Sequence, residues 1–264
     1  MSTELSAAAL HVEGYHDLRG GPQDRGWVVG AWFTPDYAHW TVPFRQSLEE
    51  VGASYHILAC DRVGSGWESE TMQKPRVVRR LMSENPGKTV VLLDVDCQVR
   101  KCPSQLVDNV SGDVAAYIRA KRTGRGKDRA RIKVMSGTMV FRPTAGARRF
   151  VEAWEAAGAE CDAFDVDQTS LMIALGRATN FTFQPLPSEW CDFEGLNAQP
   201  AIVHDHASED SPRASWLQRS MARLARSTLP PALSSRIAGR LRVEGGSEGS
   251  VGMAPRKPAG LAAE

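Results

Sequence analysis

The stretch Thr89-Val90-Val91-Leu92-Leu93-Asp94-Val95-Asp96 limits what this chain can become more than any other. A Val- and Leu-rich run preceded by Pro86-Gly87-Lys88 reads as a strand buried on both faces. It runs directly into two carboxylates at i and i+2, and on extended backbone that spacing sets both side chains on one side. In open α/β sheets ligands bind at the carboxyl ends of the strands, which is where Asp94 and Asp96 fall. Two carboxylates so placed repel each other unless a cation or proton lies between them. A hard divalent ion holding a diphosphate meets that need. The triplet alone is common, and the chain has another at Asp165 and Asp167. A solvated strand end with Asx-turn chemistry has the same sequence pattern, so the buried run before the pair and the rest of the chain must decide.

Gly26 to Phe33 predicts a first buried strand, ending in the polar Thr34-Pro35-Asp36-Tyr37. A helix follows to about Gly52, with Trp40, Phe44, Leu48 and Val51 on one face. Ser54 to Ala59 predicts a second strand. Thr71 is then placed to cap a helix with Val77, Val78, Leu81 and Met82 inward and Lys74, Arg76, Arg79 and Arg80 on its other faces. With the strand before Asp94 third, the order is β-α-β-α-β, which implies a parallel sheet. Further strands are predicted from Val114 to Ile118, Met135 to Phe141, Phe181 to Pro185 and Ala201 to Val203. Helices start at a Thr144 cap and at Asp165-Val166-Asp167-Gln168. Arg119 to Arg131 reads as a glycine-spaced basic loop with one acid, Asp128. Such a loop is either a solvated insertion or an anion-attracting lid over a phosphate-bearing ligand.

A length of 264 residues suits one large α/β domain with extensions. The pattern predicts a lead-in at 1–24, the domain at 25–210, a basic helical tail at 211–243 and a disordered end at 244–264. A net charge of +1 argues against a general polyanion binder. The basic loop also lacks the interleaved aromatics of a nucleic-acid site, so no nucleic-acid partner is expected. No apolar run is long enough to span a bilayer, and Met1 to Gly20 lacks the basic start of a secretory signal. Five cysteines without a Cys-x-x-Cys predict neither a disulfide framework nor a zinc knuckle, and a reducing cytoplasm is the expected compartment. From Ser211 to Val243 there are seven arginines and no acid, beside Trp216, Leu217, Met221 and Leu224. That pattern fits a helix packed on the domain, or one lying peripherally at the inner face of a membrane.

Taken in order, "FTPDY", the "KP" of Lys74-Pro75, "VVLLDVDCQV" with Pro103, "SGTMVFRPT", "DVDQTSL" and "IVHDHAS" resemble one family. It is the GT-A type glycosyltransferases, in particular the nucleotide-diphospho-sugar transferase domains of bacteria and plants. The resemblance covers roughly residues 26 to 208 and implies an α/β, Rossmann-like GT-A fold, a mixed central sheet flanked by helices in a single domain. It implies transfer of a sugar from a nucleotide-diphosphate donor, of the UDP-linked kind and with retention, to an acceptor of unknown carbohydrate, lipid or protein nature. Asp94 and Asp96 match the pair that holds Mn²⁺, or Mg²⁺, on the donor diphosphate. His204 matches a further metal ligand, with His206 two residues on as the alternative. Thr34 and Tyr37 match the loop that receives the nucleoside base, and Asp167 and Gln168 the pair beside the donor sugar. Ser136-Gly137 stands where the family usually reads Asn-Ser-Gly, again facing the donor. The basic insertion has no counterpart in the family.

The chemistry of these residue types agrees. Charge builds on the β-phosphate as the nucleotide leaves, and a divalent metal stabilises it as a Lewis acid. Mixed carboxylate and imidazole ligation suits Mn²⁺, and Lys74 and Arg79 supplement the positive charge. Two other readings compete. A haloacid-dehalogenase-like phosphatase would use Asp94 as nucleophile and Asp96 as acid, but Gln98 occupies the position where that motif has Thr or Val. A binding module without activity would keep the fold and lose the chemistry.

Overall fold

The computed structural model describes residues 15–63, 66–123, 129–162, 165–192 and 197–204, with backbone alone at 121–123 and 129–131. Expectations for 1–14, His206, the 211–243 tail and the 244–264 end lie outside the described residues. Strands in chain order are β1 (Leu18–Gly20), β2 (Trp27–Phe33), β3 (Tyr55–Ala59), β4 (Thr89–Leu93), β5 (Cys97–Val99), β6 (Val114–Thr123), β7 (Arg129–Phe141), β8 (Phe183–Leu186) and β9 (Ile202–His204). The α-helices are α1 (Thr41–Glu50), α2 (Trp67–Thr71), α3 (Lys74–Glu84), α4 (Ser104–Asn109), α5 (Ala145–Ala159) and α6 (Asp167–Arg177).

Seven strands form one mixed sheet in the order β1-β3-β2-β4-β7-β6-β8, and β5 and β9 form a separate two-stranded ribbon. The parallel part is the one expected, with β2 paired to both β3 and β4. It is buried on both faces because successive residues feed two different cores. Val91 and Leu93 of β4 join Phe44 and Leu48 of α1 on one face. Val90 and Leu92 join Val77 and Leu81 of α3 and Phe150 and Trp154 of α5 on the other. Gly30 explains how closely α3 lies on β2: a Cβ there would stand 2.5 Å from Leu81 Cδ1. Gly87, at φ +76°, makes the turn out of α3 into β4 that Pro86-Gly87 announced. Beyond the parallel part, β7 runs antiparallel to β4 and β6, and β1 to β3, while β8 at the far edge is parallel to β6. No helix among the described residues is long and apolar enough to cross a membrane.

Two local expectations change. Thr71 does not cap the basic helix; it ends α2, and α3 starts at Lys74 with proline in its first turn, where a missing N–H costs nothing. The Thr71 hydroxyl donates to Glu68 O (2.9 Å) and accepts from the Asp167 backbone N–H (3.3 Å). The stretch Arg119 to Arg131 is mainly strand rather than loop, because the β6–β7 ladder continues to the pair Thr123↔Arg129. Past Tyr117 no pairing to β8 follows it, and β4 pairs β7 only from Thr138, so the outer part is a two-stranded arm. The Thr144 cap of α5 is as expected, its hydroxyl accepting the Ala147 N–H at 3.1 Å, a bond of the kind that contributes about 1 kcal/mol.

Candidate functional site

β4 ends at Leu93, one residue before the first aspartate. The Asp94 carbonyl accepts the Cys97 N–H (3.1 Å), closing a turn over 94–97. The chain turns there because Val95 is drawn into the core beneath, where it is buried. A turn, rather than extended backbone, therefore presents Asp94 and Asp96, and both stay half-buried at the carboxyl end of β4. The Asp94 N–H donates to Gly137 O (3.1 Å), fixing the turn to β7.

Lys74 is the centre of the polar cluster. Its Nζ lies 2.8 Å from Asp94 Oδ1 and 2.7 Å from Asp167 Oδ2, with the Ser136 carbonyl at 3.4 Å. Only 5% of its side chain is exposed, against 31% for Asp94. Burial pushes the ammonium down, but the Asp167 and Asp94 carboxylates outweigh it and hold Lys74 above the ordinary lysine range. Three elements distant in sequence thus meet on one ammonium: the start of α3, the end of β4 and the start of α6. Gln168 follows, its N–H donating to Asp167 Oδ1 at 2.9 Å. Arg79 does not join them; it pairs with Glu155 at 3.2 Å on the outer flank of α3.

His204 approaches from β9, directly opposite Cys97 in the ribbon. Its Nδ1 lies 3.2 Å from Cys97 Sγ and its Nε2 3.0 Å from Thr138 Oγ1. Burial, reinforced by Asp96 and Asp94, pushes the Cys97 thiol well up, so it keeps its proton. A thiol proton directed at Nδ1 is compatible with an Nε2 proton facing the Thr138 hydroxyl. Cys191 lies 3.9 Å from Nε2, its thiol pushed up to about 12 by burial. One ligand atom each from Asp96, Cys97 and His204 lies within 4.8 Å of the other two, close enough to share one ion. This oxygen, sulfur and nitrogen set fits a divalent cation, with Cys97 giving up its proton on binding. The cysteines and Thr138 were missed in the sequence. Cys97 is next to Asp96, but nothing in its spacing to Cys191 or Thr138 marks them as neighbours.

The remaining expected residues line the same edge of the sheet. Thr34 and Tyr37 follow β2, the parallel neighbour of β4; Thr34 is buried and its carbonyl accepts the Tyr37 N–H at 2.9 Å. Tyr37 is half-buried against the core. Ser136 and Gly137 stand on β7, opposite the turn, contributing the two carbonyls already named. A second cluster, Asp17, His56 and Glu84, could by distance also share an ion. There Asn85 Nδ2 donates to both Leu81 O (2.8 Å) and His56 Nδ1 (3.0 Å), leaving the imidazole proton on Nε2, where a metal would need a lone pair. Arg80 and Arg19 already pair with the two carboxylates at 2.6 and 2.7 Å.

The end of β4 thus brings a carboxylate turn and a buried imidazole together on a mixed α/β sheet. A family profile described as nucleotide-diphospho-sugar transferase matches residues 59–209. The chain belongs to that family and is a glycosyltransferase, which displaces the phosphatase reading. Among solved structures it is similar to a glycosyltransferase involved in the glycosylation of the major capsid of PBCV-1, at 9% identity and TM-score 0.51, over 69% of this chain and 96% of that one. That likeness concerns the fold. The apo structure of WbbM, a bifunctional glycosyltransferase, aligns at 14% identity and TM-score 0.41 over 69% of this chain and 46% of that one. Comparison with curated proteins gave no match.

Proposed function

We propose that this protein moves a sugar from a UDP-linked donor to an acceptor, with a divalent ion, Mn²⁺ or Mg²⁺, at Asp94, Asp96 and His204. The observation that supports it best is the charge of the centre. Lys74 against Asp94, Asp96 and Asp167 gives a formal 1 − 3 = −2, which repels a diphosphate until a divalent cation is added. When bound, the ion supplies Lewis-acid stabilisation of the leaving diphosphate. The protein's own part is orientation. Lys74 acts as a positioning residue, holding Asp94 at the turn and Asp167 at the start of α6, beside the donor sugar. Tyr37 packs on the base, with Thr34 shaping its loop, and Ser136, Gly137 and Gln168 flank the sugar and diphosphate. Retention is proposed from the resemblance of the histidine-bearing site to retaining families.

The test is a donor panel of UDP- and GDP-sugars with Mn²⁺, Mg²⁺ or EDTA, reading thermal stabilisation and donor hydrolysis. A UDP-sugar that stabilises only with metal supports the reading; no stabilisation by any donor would sink it. A cytoplasmic location with peripheral contact at the inner membrane face through 211–243 belongs to the same proposal. It is supported by five free cysteines and the arginine-rich sequence of that segment. Co-sedimentation with anionic liposomes tests that contact.

A further inference from the structure

Cys97 takes no part in the transfer proposed above, yet it stands inside the ion-binding cluster. It follows Asp96 directly, and the two-stranded ribbon sets it opposite His204. Its sulfur lies 3.2 Å from Nδ1 of His204 and 3.8 Å from Nε2, so it meets the ring on the Nδ1 side. Nε2 lies 3.0 Å from the hydroxyl of Thr138 on β7, which is fully buried. The second thiol, Cys191, stands 3.9 Å from Nε2. Neither cysteine is in a disulfide, and both are buried.

A histidine that binds a metal through one nitrogen gives the proton on the other to a fixed acceptor. Thr138 can serve as that acceptor, which leaves Nδ1 and the Cys97 sulfur to share one ion. Distance allows it. A nitrogen and a sulfur bound to one tetrahedral zinc, at about 2.0 and 2.3 Å, stand roughly 3.5 Å apart, so the 3.2 Å found here has to open only a little. An Asp96 oxygen completes the set, since one ligand atom from each of the three residues lies within 4.8 Å of the others. The sulfur then decides which ion is preferred. A thiolate is a soft ligand that selects Zn²⁺, whereas carboxylates and water suit Mg²⁺ and Mn²⁺. Cys191 stands against the opposite nitrogen, so it does not close the site as a fourth ligand. Three protein ligands with one position open is the pattern of a zinc site that also takes water or a substrate oxygen.

We propose that Cys97 is a metal ligand, and that Asp96, Cys97 and Nδ1 of His204 form a zinc site with an open fourth position, tighter for Zn²⁺ and Co²⁺ than for Mn²⁺ or Mg²⁺. On binding, the thiol proton leaves to solvent and the sulfur electron pair goes to the metal. Zinc thereby competes with the Mn²⁺ or Mg²⁺ of the transfer for Asp96 and His204. That consequence rests on the transferase reading; the zinc site itself does not.

The test uses the full chain, freed of metal with EDTA and reloaded. At the zinc X-ray absorption edge the parent should show one sulfur at about 2.3 Å. Loaded with Co²⁺, it should show a near-ultraviolet thiolate charge-transfer band. Cys97→Ser should lose both signals and bind Zn²⁺ at least about tenfold more weakly, while its Mn²⁺ affinity changes by less than about threefold. Thr138→Val should keep the band and lose about tenfold or more in Zn²⁺ affinity, as removal of an outer partner does. Cys191→Ser should keep both band and affinity. A parent without sulfur at the zinc edge overturns the inference with no variant needed, and so does Zn²⁺ bound no more tightly than Mn²⁺. A band that survives Cys97→Ser and vanishes in Cys191→Ser moves the sulfur to Cys191 and overturns it as well. Two sulfurs on the zinc overturn the open position. Stabilisation by UDP-sugar and Mn²⁺ in a parent that shows no zinc–sulfur signal leaves the transferase reading standing alone. A zinc–sulfur signal without any donor stabilisation sinks the transferase reading and leaves the zinc site in place.

Discussion

Replacing Lys74 by methionine keeps the length of the side chain and removes the ammonium that three backbone elements share. Asp167 is then a buried carboxylate, with 5% of its side chain exposed, facing no cation at 2.7 Å. Asp94, at 31%, recovers part of its hydration. Breaking a buried pair by removing one partner costs about 3–5 kcal/mol, nearly all of it on the side that cannot reach water. For a domain of this size each kcal/mol lowers Tm by about 2–4 °C, so a drop on the order of 10 °C is expected. A double-mutant cycle with Asp167→Asn, followed by urea unfolding, isolates the pair. The double variant should be more stable than Lys74→Met alone, with a coupling of about 2 kcal/mol or more. A Lys74→Met protein within about 1 kcal/mol of the parent, or strict additivity with Asp167→Asn, would refute the argument that this ammonium organises the site.

Asp96→Ala should abolish metal-dependent stabilisation by a UDP-sugar while leaving the unfolding midpoint without metal nearly unchanged; persistence of the metal effect removes Asp96 from the ligand set. Tyr37→Ala should weaken UDP binding about tenfold or more, since stacking on a base contributes about 1–3 kcal/mol, and unchanged calorimetric affinity takes Tyr37 out of the base site. His56 gives a pH signature. Burial first, then Arg19, push it down to about 4 against the opposing pull of Glu84 and Asp17, so between about 4 and the ordinary 6.5 the unfolded chain binds the extra proton. Stability contributed by neutral His56 should therefore be lost as pH falls from 6.5 toward 4, by about 3 kcal/mol. His56→Gln should lack that slope in unfolding free energies measured across the window, and an identical slope in the variant discards the assignment.

Whatever depends on local periodicity is legible in the sequence. The buried runs of β2, β3 and β4 and the Thr144 cap are set by residues within a few positions of one another, and the structure has them where expected. The strand after Asp17 was not legible, because Leu18–Gly20 is too short and polar to show alternation and exists only by pairing with β3. The arm was misread as loop because its outer strands carry charge instead of apolar residues. Gly124 and Gly126 dominated the local reading. The candidate site was legible where residues sit at strand ends, as Asp94, Asp96 and His204 do. The clasp of Lys74 on Asp94 and Asp167 was not, since it joins positions 20 and 93 residues away from the lysine. Spacing says nothing about such encounters; only the sheet order does.

The turn at 94–97 sits on a boundary. Asp94 is anchored to the seven-stranded sheet by Gly137 and Lys74, whereas Cys97 opens the ribbon that pairs with His204, 107 residues further along the chain. Anything gripped jointly by Asp96 and His204 closes that long span into a ring, as a crosslink would. Unlike a covalent crosslink, a reversible ligand leaves when the chain unfolds, so it acts through the folded state alone. A ligand seated there stabilises by mass action every element threaded inside the ring, including α4, α5, β8 and α6. Slower amide exchange in the helices within that span is the expected sign of occupancy at the end of β4.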